Sequence, residues 1–173
     1  MRFQIDDRLV HAQQGVGRVV KLEMKQFGEG TTQEYYEIAI TTGTIWVPVE
    51  GSSSGLRKIT AKGDLDRYRV LLRGRPTPLP PDHKDRFQIL AERLKESSFQ
   101  VICEVVRDLI AFSWNKPLNE SSSTLLRRTH QLLCAEWAAA EGQPLSKATH
   151  EVDTLLLEGK KTYGIKPREG DIF

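Results

Sequence analysis

Four prolines between residues 76 and 81, inside RGRPTPLPPD (73–82), forbid a helix interior or a central strand at that point. A segment of this kind runs extended and semi-rigid, so the chain is expected to consist of two separately built parts on either side of it. The charge balance changes at the same place. Residues 1–76 carry 12 basic and 9 acidic groups, while residues 77–173 carry 13 and 14. A near-neutral total excludes a protein that coats nucleic acid through charge alone, but leaves room for a local basic patch.

The first part reads as β. RLVHA, GRVVKLEM, EYYEIAI, TIWVPV and GLRKI are short runs of β-branched and aromatic residues, separated by turn signals such as QFGEGTTQ and TTGT. Five short strands in about sixty residues predict a small, strongly bent barrel. Gly15 and Gly17 flank Val16 where a side chain would obstruct entry into the second strand. A short helix fits GDLDRYRVLLRG, with Asp64 as its N-cap, Leu65, Tyr68, Leu71 and Leu72 inward, and Gly74 as its stop.

The second part reads as helical. One stripe is Phe87, Leu90 and Leu94. The next helix begins at Ser97 or Ser98 and carries Val101, Ile102, Val105, Leu109 and Phe112. A third follows LNESSS, with Leu125, Leu126, Thr129, Leu132, Leu133 and Trp137 inward, and ends at Gly142. Ser146 is the expected cap of a fourth, with Val152, Leu155 and Leu156 inward and Gly159 as its stop. One-sided stripes of this kind predict a compact helical bundle. The organisation expected is therefore a barrel domain over 1–72, a linker over 73–82, a helical domain over 83–160 and a tail over 161–173.

Signals for catalysis are missing from the sequence. His11, His83, His130 and His150 show no metal-ligand spacing with one another or with Cys103 and Cys134. There is no nucleophile elbow, P-loop or dinucleotide fingerprint. GVG at 15–17 is too short to cradle a phosphate, and Asp6–Asp7 reads as solvated loop. Both cysteines lie in apolar runs and are expected to be buried, reduced thiols. No apolar run is long enough to cross a membrane, and acids near the start argue against a signal peptide. The expectation is a non-enzymatic cytoplasmic protein without cofactor or metal.

FQIDDRLVHAQQGVGRVVKLE, EYYEI, WVPV and GLRKI follow one another in the order and spacing of a known domain. They resemble the N-terminal domain of the CarD/CdnL family of bacterial transcription regulators, a Tudor-like barrel related to the polymerase-interacting module of the transcription-repair coupling factor. The resemblance continues from RF at 86–87 through EVVRDL at 104–109 to LLRRTHQLLCAEWAAAEG, and covers about residues 3 to 157. It implies an α+β chain: a Tudor/SH3-like β-barrel followed by a helical bundle. It also implies that the barrel binds the RNA polymerase β subunit while the helical domain lies on promoter DNA at the upstream edge of the bubble. There a family tryptophan wedges into the minor groove and favours the opened form. A monomer acting on the nucleoid through polymerase is the corresponding expectation.

Residue by residue, the family's wedge position falls here on His83, a smaller and more polar ring, flanked by Asp82 and Asp85, which repel phosphate. Lys84 and Arg86 remain as backbone contacts, and Phe87 is assigned to the core. Trp114 is read as a packing or capping side chain at the far end of its helix. Arg127 and Arg128 are the other DNA candidates, Arg128 matching a basic family position. With no net positive charge in this half, duplex affinity is expected to be weak and salt-dependent. On the barrel, Lys25 matches a basic position that faces polymerase. Trp46 alternates with Val47, so a buried Val47 would leave Trp46 outward as an interface anchor. Arg57 is assigned to the fold. The competing expectation is a polymerase-binding adaptor that never touches DNA. The two separate on whether His83, Lys84, Arg86, Arg127 and Arg128 share one surface.

Overall fold

The computed structural model describes residues 2–51 and 55–164, which form two compact units meeting at Thr60/Ala61. The first unit is a five-stranded antiparallel sheet: β1 (Arg8–His11), β2 (Gly15–Lys25), β3 (Gln33–Ile40), β4 (Gly43–Pro48) and β5 (Leu56–Lys58). They are ordered β4-β3-β2-β1-β5. The eleven-residue β2 pairs with β1 through its first half and with β3 along most of its length. A register shift between Val19 and Lys21 supplies the bend this double duty needs. Alternation puts Leu9, Val19, Tyr36, Ile38 and Val47 inside. Phe3 closes one end, its backbone N–H donating to the Tyr36 hydroxyl at 3.0 Å.

The glycine expectation holds on two separate grounds. Gly15 has a φ of 77°, in the left-handed region. A Cβ on Gly17 would stand 2.6 Å from Ile38 Cγ2 and 3.1 Å from the Ala39 carbonyl oxygen.

The second unit opens with a 3-10 turn, Lys62–Asp64. It continues as α1 (Leu65–Leu72), α2 (His83–Leu94), α3 (Phe99–Ser113), α4 (Glu120–Glu141) and α5 (Leu145–Tyr163). α3 is apolar on two sides. Phe99, Ile102, Cys103 and Val106 join α1, α4 and α5 around Trp137. Val101, Val105 and Leu109 meet Leu90 of α2. Cys103 and Cys134 are buried free thiols, as expected. No described helix is long and apolar enough to cross a membrane.

Several expectations about boundaries need correction. α1 belongs to the helical unit, because its stripe of Leu65, Tyr68 and Leu72 is buried in that unit's core, with Tyr68 edge-on to Phe99 at 4.8 Å. Arg69 fastens it there by bonding Glu151 at 2.7 Å and Glu141 at 3.1 Å. The proline segment therefore does not join the two units but runs within the second. The Thr77 N–H donates to Asp108 Oδ1 at 2.9 Å, and Leu79 packs toward Leu90.

Asp64 ends the 3-10 turn, and its side chain makes no capping bond. α4 starts earlier than LNESSS suggested, because Asn119 caps Ser122. α5 starts at Leu145 behind Pro144, with Ser146 inside the first turn. Gly159 does not stop α5. It is buried where the helix meets Arg73, whose backbone would lie 3.4 Å from a Cβ at that position. The helix continues to Tyr163, and residues 165–173 of the expected tail lie outside the described residues.

Candidate functional site

On the barrel, Val47 is 6% exposed and points inward, so Trp46 stands on the outer face of edge strand β4. It is half-buried rather than bare, because Lys25 lays its Nζ 3.4 Å from the ring centroid. Two residues selected separately from the sequence thus form one cation–π pair. Glu23 Oε2 holds Lys25 at 3.5 Å, and Glu23 Oε1 meets Lys21 at 3.3 Å. These lysines, with the Lys21 hydrogen bond foremost, hold the Glu23 carboxyl below the usual carboxylate range.

Sequence reasoning missed two neighbours. Phe27 is 53% exposed and stands edge-on to Tyr35 with ring centroids 4.9 Å apart. Tyr35 lies opposite Glu23 on one side and Pro48 on the other. Phe27 was hidden in QFGEGTTQ, read only as a turn. An aromatic ring in so polar a loop was the available signal. The outer face therefore carries a cation, the half-buried Trp46 and the exposed Phe27 over buried Tyr35, beside the edge of β4 that pairs with no other strand among the described residues.

On the helical unit, the Asp82 carboxylate caps α2 by accepting from the Lys84 and Asp85 N–H groups at 2.8 and 3.1 Å. Those bonds, Asp85's first, hold the Asp82 carboxyl below its ordinary value. His83 and Lys84 are exposed in the first turn.

Arg86 and Phe87 have exchanged the places expected of them. Arg86 is only 3% exposed. Its Nη1 donates to the Pro80 and Pro81 carbonyls at 2.9 and 3.1 Å, and its Nε to Ser122 Oγ at 3.3 Å. Its guanidinium lies 4.2 Å from the centroid of the Phe112 ring. A cation so enclosed is not presented to phosphate, so Arg86 leaves the set of DNA contacts. The inward stripe is Arg86, Leu90 and Leu94, also at helical spacing, and Phe87 is turned out at 41% exposure. It shares a flank with His83 and Lys84, four and three residues before it.

Arg127 and Arg128 are both exposed on α4, 100° apart around its axis. Arg128 stands three residues from Leu125, which packs on the α2–α3 core. Arg127 stands three residues from His130, which meets Asp153 of α5 at 2.7 Å. The expected five-residue patch is therefore divided. His83, Lys84 and Arg128 border the α2 side, Arg127 faces the α5 side, and Arg86 is inside.

The Cys134, His130 and Asp153 side chains superficially suggest a catalytic triad. Cys134 Sγ lies 3.7 Å from His130 Nε2, the same nitrogen that meets Asp153. A base needs one nitrogen for each partner, and burial pushes the Cys134 thiol up to about 11. The group is a contact between α4 and α5 in which the thiol is buried and Asp153 is exposed, not an activated nucleophile. Among the described residues no cluster of three candidate ligands could hold a metal ion.

Comparison with known proteins finds two matches that together span most of the chain. Residues 3–60 match the CarD-like/TRCF RID domain. Residues 69–153 match the CarD C-terminal domain. The candidate transcription factor YdeB of Bacillus subtilis (strain 168) is 31% identical over 144 residues, covering 81% of this chain and 93% of the relative.

Proposed function

Because the chain belongs to the CarD family of transcription factors, we propose that its barrel binds the RNA polymerase β subunit and that its helical unit modulates opening of promoter DNA. The single observation carrying this reading is the Lys25–Trp46 pair on the outer face of the barrel, extended by Tyr35 and the exposed Phe27. A half-desolvated tryptophan with a cation on its ring is the kind of anchor that concentrates binding energy. The edge of β4 beside it, which pairs with no other strand among the described residues, can accept a partner strand.

On the helical unit, the flank of His83, Lys84 and Phe87 is the DNA-facing surface in this reading, with Arg128 on the neighbouring helix. Phe87 supplies the apolar ring that His83 lacks. An apolar side chain placed at an unstacked base step favours the kinked or melted form over the closed duplex. Few cations are presented and Asp82 and Asp85 flank them, so duplex contact is weak alone and gains from tethering to polymerase. The protein then works in the bacterial cytoplasm wherever polymerase holds it.

The burial of Arg86 favours a second reading, the adaptor without DNA contact, because it removes one of the five presumed DNA ligands. Promoter-opening kinetics with purified polymerase separate the two. Trp46→Glu is expected to weaken binding to the β subunit more than about tenfold, some 1.4 kcal/mol, with the fold intact. His83→Trp is expected to lengthen the open-complex lifetime, and Phe87→Ala to shorten it. Unchanged polymerase binding by folded Trp46→Glu would remove that face from the interface. Opening kinetics indifferent to both α2 variants would leave the adaptor.

A further inference from the structure

The helical unit also carries a groove of about 620 Å³ between the proline segment, the end of α3 and the last turn of α5. Phe112, Trp114 and Tyr163 contribute aromatic surface to it, and Arg75 and Lys116 contribute charge. The Arg75 guanidinium lies 5.7 Å from the Tyr163 ring centroid. Exposed Arg73, whose backbone meets Gly159, and exposed Lys160 of the same helical turn extend the positive charge.

Among the described residues, the charge of this groove is not neutralised from within. Among the described residues, Lys62, Arg69, Arg93 and Arg107 each meet a carboxylate. Arg73, Arg75, Lys116 and Lys160 meet none there. The acid in the groove wall, Asp108, is fully buried and already accepts from Thr77 and Arg107. The groove is also held in shape. Asp108 fastens the proline segment at Thr77, and Arg86 fastens it at Pro80 and Pro81. A preformed site loses less on binding than one that must be ordered.

We propose that this groove binds single-stranded nucleic acid, with bases stacked on Trp114 and Tyr163 and phosphates at Arg75 and Lys116. Aromatic faces alternating with cations suit a strand whose bases are unpaired. A duplex keeps its bases stacked on one another and offers these rings nothing. The groove shares no residue with the His83–Phe87 flank, so the inference goes beyond the promoter reading and does not depend on it.

The test is fluorescence polarisation of a short fluorescein-labelled oligothymidylate with the full chain and no polymerase, over a series of salt concentrations. The expected result is binding that quenches Trp114 emission, identified by comparison with Trp114→Phe. The doubly substituted Arg75→Gln/Lys116→Gln chain is expected to bind at least fivefold more weakly. Its slope of log affinity against log salt should fall by roughly 1.4, at about 0.7 per single-strand phosphate contact. Both side chains line an open groove, so the variant should keep the wild-type circular dichroism. Lys147→Gln, exposed at the other end of α5, should bind as wild type does. Duplex binding as tight as single-strand binding would overturn the proposal. So would unaltered affinity in the double variant, or a loss confined to Lys84→Gln. Because polymerase is absent, any of these outcomes leaves the reading of the barrel untouched.

Discussion

Substituting Arg86 tests the most consequential difference between sequence and structure. If this residue were a phosphate contact, Arg86→Lys would keep its charge and most of its DNA affinity, and would leave stability unchanged. The structure requires otherwise. One guanidinium bridges two proline carbonyls, Ser122 Oγ and, at 3.5 Å, Asn119 Oδ1, while covering the Phe112 ring. A lysine ammonium is a compact donor and cannot span that fork. Hydrogen bonds from charged donors contribute about 1.5–3 kcal/mol each. Pro81 is exposed and Pro80 half-buried, so water can replace part of what their carbonyls lose. Arg86→Lys is therefore expected to cost about 2 kcal/mol, and Arg86→Leu about 3–4 kcal/mol. At roughly 4–8 °C per kcal/mol for a domain of about a hundred residues, Arg86→Lys should make the helical unit melt about 8–16 °C earlier. Far-UV circular dichroism follows this unit selectively, because the described helices all lie within it. An Arg86→Lys protein that melts within about 2 °C of wild type but loses DNA affinity would refute the reasoning and return the residue to the DNA surface.

Three further outcomes follow from the same geometry. Gly17→Ala places a methyl group 2.6 Å from buried Ile38 and should destabilise the barrel by about 1–3 kcal/mol, read from the urea midpoint of its near-UV signal. Cys134, with its thiol pushed up to about 11, should react with iodoacetamide at neutral pH at roughly one-hundredth of a free thiol's rate, regaining full reactivity in denaturant. The Glu141 carboxyl is held below its usual value, first by a hydrogen bond from Lys62 and then by Arg69. It therefore contributes stability that is fully present above the unfolded carboxylate pKa and is lost as pH falls through the lower folded one. Acid titration of the melting temperature should show that loss, and Glu141→Gln should flatten it.

The barrel was legible because its strands obey one rule. Val47 inward and Trp46 outward follow from a period of two, and Gly17 from the need for close backbone approach. What the sequence did not reveal there was lateral. Nothing in the spacing of Lys25 and Trp46 says that strand register brings Nζ onto the ring, or that Phe27 leaves its turn to meet Tyr35. Register depends on the bulge between Val19 and Lys21, which no residue type announces.

In the helical unit the element types were legible and the assignment of faces failed at one informative place. Phe87–Leu90–Leu94 and Arg86–Leu90–Leu94 fit a helix equally well, and hydrophobicity chooses the first. The structure chooses the second because the Pro80 and Pro81 carbonyls have no strand or helix partner, and the part-buried bonds they accept are supplied by Arg86. Arg86 supplies the donors that prolines cannot exchange among themselves. The same prolines that split the sequence into two parts thus draw a cation into the core one turn later. Phe87 is left on the flank with His83 and Lys84, where the exposed part of its ring is open to a partner.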